Sequence, residues 1–189
     1  DGETYCFLGV PPENTKKAKQ ISLNVSAFST DYEFECGKAK LKVRFVSPLR
    51  PDNLEILSLP VCYMGYETDA KDAEVSLFAG RNIAYNDIPE THDKRVRGGV
   101  VKVGSNEAAF MGLARQLPFS TSGDLIGADW GYWYLAGEEC FFTDNISLQQ
   151  YLKDGKYDFT ANEQERYICA INRKKSGIIA IGFDDCVSI

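Results

Sequence analysis

The sequence holds one histidine and two methionines in 189 residues, and that scarcity removes several chemistries at once. A His-based metal site is ruled out by count, and any Ser-His-Asp or Cys-His arrangement would have to use His92. His92 lies in the charged run Glu90-Thr91-His92-Asp93-Lys94-Arg95, which reads as solvated surface. No C-x-x-C pair occurs, so zinc knuckles and thioredoxin-like redox motifs are excluded. Walker loops, a Gly-x-Gly-x-x-Gly turn after a strand and EF-hand spacing are also missing, so no nucleotide, calcium or other cofactor is expected. The most apolar segment, Gly177 to Phe183, falls far short of the roughly 18 to 20 residues of a membrane span. Positive charge is not in excess either. With 27 acidic against 21 basic residues the net charge is −6, which argues against nucleic acid or an anionic membrane as partner.

What is present suits a packed domain. Hydrophobic residues make up 44% of the chain and charged residues 25%, ordinary proportions for a globular core and surface. Six cysteines, Cys6, Cys36, Cys62, Cys140, Cys169 and Cys186, are widely spaced. An even count without metal motifs predicts a disulfide framework and hence a periplasmic or extracellular home. Six cysteines allow 15 pairings, and sequence does not choose among them. Three precede residue 63 and three follow residue 139, so full pairing must join the two ends of the chain. The sequence starts at Asp1 rather than methionine, which suggests a chain trimmed of a signal sequence or lipoprotein anchor. Asn24-Val25-Ser26 and Asn145-Ile146-Ser147 are glycan acceptors only in a eukaryotic secretory route.

Period-2 alternation of β-branched and aromatic residues dominates the chain and predicts strands. Thr4 to Val10, Gln20 to Phe28, Lys40 to Val46 and Leu54 to Met64 qualify, as do Glu74 to Ala79 and Gly99 to Val103. In the third, Leu41, Val43 and Phe45 point inward against Lys40, Lys42 and Arg44. Arg166 to Asn172 and Ser176 to Phe183 read as a closing hairpin, whose second strand is apolar on both faces and so belongs inside a sheet. Two helices are predicted. One runs from Glu107 to Gln116 behind Asn106, and the other follows a capping box of Ser147 and Gln150 and ends at Gly155. The expected fold is mainly β (α+β), an antiparallel sheet or sandwich with two short helices, stabilised by disulfides. It is read as one domain over 1–189, or as two tightly joined lobes, 1–66 β-rich and 74–189 α+β.

Phe119, Trp130, Tyr132, Trp133, Tyr134, Phe141 and Phe142 bring both tryptophans into one aromatic stretch. On a strand, Trp130, Tyr132 and Tyr134 share one face and Trp133 the other, so one set packs inside while the other is offered to a partner. Acidic loops around Glu67 and Asp69, and around Asp87 and Glu90, suit a basic protein surface. This combination predicts a non-catalytic binding protein that recognises another macromolecule, such as an inhibitor, an immunity protein or an adhesin-like module.

A second reading starts from Phe119-Ser120-Thr121-Ser122, Glu163-Gln164-Glu165 and Arg44. This set resembles the Arg, Ser-Thr-Ser and Glu-x-Glu residues of one class of ADP-ribosyltransferase toxins. The resemblance implies that Arg44 and Ser120 hold NAD, while Glu165, paired in the motif with Glu163, stabilises an oxocarbenium-like transition state by its charge.

Overall fold

The computed structural model describes residues 2–85, 94–118, 130–156 and 166–184. In chain order these residues form β1 (Tyr5–Cys6), β2 (Lys16–Lys17), β3 (Lys19–Val25), β4 (Ser29–Cys36), β5 (Ala39–Val46), α1 (Leu54–Ser58) and β6 (Val61–Thr68). They continue with β7 (Val75–Gly80), a 3-10 turn at Arg81–Ala84, β8 (Val96–Val103), β9 (Asn106–Leu113), β10 (Tyr132–Gly137) and β11 (Glu139–Asp144). The last elements are α2 (Asn145–Asp154), β12 (Arg166–Asn172) and β13 (Ser176–Asp184). The expectation of a mainly β, antiparallel protein with two short helices holds for the described residues.

An eight-stranded sheet in the order β3-β4-β5-β6-β13-β10-β9-β8 forms the base. A three-stranded sheet, β11-β12-β7, packs on one of its faces, and α2 packs on the far side of that smaller sheet. Strand β12 shows the layering in its own sequence. Ile168 and Ala170 belong to the core shared with the large sheet, whereas Cys169 and Ile171 belong to the core under α2 with Leu148, Tyr151 and Leu152. Because both faces of β12 are buried, its run Tyr-Ile-Cys-Ala-Ile has no polar alternation. The β5 pattern is the opposite and matches expectation: Leu41 and Val43 are buried while Lys40, Lys42 and Arg44 are exposed.

Several local expectations fail, each for a physical reason. Residues 107–116 do not make a helix, because Asn106–Leu113 pair on both sides, with β8 and with β10. Ala108, Ala109 and Met111 are good helix formers, but that preference is worth under about 1 kcal/mol per residue, and two ladders plus full burial of Met111 and Leu113 outweigh it. The predicted strand Leu54 to Met64 divides into α1 and β6. Asn53 caps α1 by accepting from the Ile56 N–H at 3.1 Å, and Pro60 separates the two elements. The Thr4 to Val10 strand shortens to Tyr5–Cys6, paired parallel to β2. Ser147 is not the cap of α2. Asp144 accepts from the Ser147 N–H at 2.9 Å instead, and Gln150 donates to Asp154. The closing hairpin also dissolves, since β12 pairs with β11 and β7 while β13 pairs with β6 and β10. Asn172, 3% exposed, bridges the two sheets by donating to the Ile178 carbonyl at 3.0 Å and accepting from the Glu138 N–H at 2.8 Å.

The disulfide framework is corrected as well. Cys6, Cys36, Cys62, Cys140 and Cys169 are all free thiols, and Cys186 lies outside the described residues. Cys140 and Cys169 sit on paired strands but face opposite layers, Cys140 in the core under the large sheet and Cys169 under α2. A bridge between them would require one side chain to cross its own strand. Cys140 instead lies against the Glu107 and Leu135 carbonyls at 3.2 and 3.4 Å.

Candidate functional site

The layers above all lie on one side of the eight-stranded sheet, and its other side divides into a charged half and an aromatic half. The charged half is an open trough of about 500 Å³ on β3 to β6, lined by Ser22, Asn24, Asp31, Glu33, Lys42 and Arg44. Strand alternation places these residues there, because every second side chain of β4 and β5 faces the core. Register sets Asp31 opposite Arg44 and Arg44 opposite Gly65, so the floor beyond the guanidinium is bare backbone. The hydrogen bond from Arg44 holds the Asp31 carboxyl below the usual carboxylate range, and Asp31 raises Arg44 in return. Both groups are solvated, so the pair orders the trough more than it stabilises the fold.

The aromatic half lies on β8 to β10. Phe110 meets Tyr132 edge-on at 5.7 Å and Tyr134 at 6.0 Å, and the Arg97 guanidinium stands 5.1 Å from the Tyr132 ring centroid while donating to its hydroxyl. Glycine makes room for these rings. A Cβ on Gly112 would come within 2.7 Å of Tyr132, and one on Gly99 within 3.3 Å of Phe110.

Of the residues singled out from sequence, Tyr132 and Tyr134 therefore share one face while Trp133 turns to the core side, where its ring meets Phe183 at 5.4 Å. Trp130 precedes the strand and is half-buried. Glu67 is exposed near the end of β6, and Asp69 accepts from the Lys40 N–H at 2.7 Å, so that carboxylate closes a turn. Asp87, Glu90 and His92 lie outside the described residues, as do Ser120, Glu163 and Glu165, so of the toxin-like set only Arg44 is placed. Asp31, Glu33, Arg97 and Phe110 were not anticipated. The first two stood in the strict alternation Ser-Thr-Asp-Tyr-Glu-Phe-Glu-Cys, a readable strand, while the helix assigned to 107–116 hid Phe110.

A second charged cluster joins the layers at the other end of β12. Arg173 donates to Glu74 at 2.8 Å and also to Glu139, Lys174 pairs with Glu138, and the Tyr151 hydroxyl donates to Glu74. It ties β7, β11, α2 and the segment after β12 together. Among the described residues no group of three or more His, Cys, Asp or Glu is placed to hold a metal ion.

Residues 28–184 match the family model described as a domain of unknown function, DUF5127. Over 154 residues the chain is 27% identical to Glutaminase A of Aspergillus oryzae (strain ATCC 42149 / RIB 40), a match covering 79% of this chain and 21% of that protein. The chain thus spans about a fifth of the length of this curated relative. Among solved structures it is similar to the "Putative kojibiose phosphorylase from human microbiome", with a TM-score of 0.32, 12% identity and coverage of 82% of this chain and 17% of that one. The sequence matches overturn the expectation of a non-catalytic inhibitor, immunity protein or adhesin-like module, because the shared residues form part of a protein named as an enzyme. They likewise replace the toxin-like reading of Arg44.

Proposed function

This chain belongs to the DUF5127 family, and from that premise we propose that it is a β module of a larger amide hydrolase of the glutaminase type. One observation carries the reading: the 27% identity extends over 79% of this chain but only 21% of Glutaminase A. A relation of that shape fits a module common to two longer enzymes. The reaction would be hydrolysis of the glutamine side-chain amide to glutamate and ammonia. The module's part is mechanical, since sheets locked in layers by β12 give a rigid surface on which a catalytic portion is positioned. The gene product purified from its native source is expected to release ammonia from glutamine, and deletion of the region of this chain to remove that activity. A folded, full-length product that leaves glutamine unchanged would sink the reading.

The aromatic row of Phe110, Tyr132 and Tyr134 favours a second reading, a module that holds a carbohydrate, because rings on a sheet face stack against sugar C–H groups. Affinity electrophoresis in gels containing soluble glucans is expected to retard the chain and not its Tyr134→Ala variant. Equal mobility of both, with and without glucan, would remove this reading.

A further inference from the structure

The core side of the eight-stranded sheet is covered unevenly. The three-stranded sheet lies over its β13, β10, β9 and β8 part. Residues around β1 and β2 cover the Phe34 end of β4, where the Phe7 and Phe34 rings are 5.8 Å apart. One corner is left over. There the β3-β4 hairpin and the connection from β5 to β6 come together, with the Ser47 N–H donating to the Phe28 carbonyl at 3.0 Å.

That corner is apolar and open. Leu23 and Val25 share the core-facing side with their register partners Tyr32 and Thr30, yet both are more than half exposed. Phe28 and Leu49 line one depression of about 380 Å³, and α1 buries none of its residues. Exposure runs from 39% at Leu57 to 74% at Leu54. Among the described residues β3 is also the terminal strand of the sheet, with no strand paired to its outer edge. Isolated exposed leucines are ordinary, but several exposed apolar side chains on a hairpin and the connection that meets it mark an interface. The occupant follows from length, because the match to Glutaminase A leaves about four-fifths of that polypeptide outside it.

We propose that this corner, built by Leu23, Val25, Phe28, Leu49, Leu54 and Leu57, is where the remaining part of the longer hydrolase polypeptide docks and completes the layer over β3 to β5. The proposal rests on the module reading above. It predicts an apolar counterface on the larger part, with rim contacts to polar residues such as Arg50 and Asp52.

Hydroxyl-radical footprinting of the full-length native gene product tests it, with Ile178 on the opposite face, 63% exposed, as the internal reference. Phe28 and Leu54 are expected to be labelled at least fivefold less than Ile178, and Cys62, exposed in this chain, to resist alkylation until the protein unfolds. Phe28→Ser in that product is expected to lower the melting temperature, while in the 189-residue chain it leaves the melting temperature unchanged. Labelling of Phe28 and Leu54 equal to Ile178 overturns the docking surface, as does protection that appears only with rising protein concentration, the mark of a second copy. Protection without glutamine hydrolysis would overturn the glutaminase reading alone, and hydrolysis without protection the docking surface alone.

Discussion

Ile168→Ala and Ile171→Ala are each expected to lower the unfolding free energy by about 2–5 kcal/mol, and the double variant by close to their sum. Both side chains are fully buried, three residues apart on one strand. Ile168 fills the layer between β12 and the large sheet, whereas Ile171 fills the layer between β12 and α2. Truncating either leaves a void that its neighbours close only partly, because each layer is bounded by hydrogen-bonded strands that move as units. The two clusters have no hydrophobic residue in common, which is why the costs are expected to add. Urea melts of the three variants measure this directly. A cost under about 1 kcal/mol for Ile171→Ala alone would mean that α2 does not close its side of the smaller sheet.

The same strand shows what the sequence disclosed and what it did not. Arg166 to Asn172 was legible as a strand, and so was the interior position of β13, read from its apolar run Gly-Ile-Ile-Ala-Ile-Gly-Phe. Which sheet each joined was not. Arg173-Lys174-Lys175 reads as a hairpin turn in isolation, but Asn172, at the end of β12, carries the chain to the large sheet by bonding to the backbone of β13 and of the residue between β10 and β11. Partners that lie 6 and 34 residues away leave no mark on local pattern. The clean alternation in β5 was readable because one of its faces meets water. In β9 neither face does at Ala108 and Ala109, and small residues packed on both sides imitate a helix-forming stretch. Cysteine count misled for a related reason: number and spacing say nothing about which side of a strand a thiol occupies, and Cys140 and Cys169 occupy opposite sides.

Stability is expected to fall steeply above about pH 8.5, and the free thiols set where the fall begins. Burial pushes the Cys169 thiol far up, with smaller contributions in the same direction from Cys140 and Glu74. Burial also raises Tyr151, assisted by its hydrogen bond to Glu74. In both cases the folded state keeps its proton where the unfolded chain loses it. The contribution is therefore fully present below the unfolded value, roughly 8.5 for a thiol and 10 for a phenol, and is lost as pH rises beyond it. Each group in that range costs about 1.4 kcal/mol per pH unit, so Cys169 alone removes roughly 2–3 kcal/mol by pH 10.5 and Tyr151 begins to add to the loss near the same point. Denaturant melts at pH 7.5, 9 and 10.5 are expected to follow that slope, and Cys169→Ala to make its first part shallower, the rest coming from Cys140, which burial also raises, while leaving the later, tyrosine-dependent part. A wild-type curve that stays level to pH 10.5 would mean that Cys169 is not a buried thiol, and with it would go the assignment of free cysteines to this core.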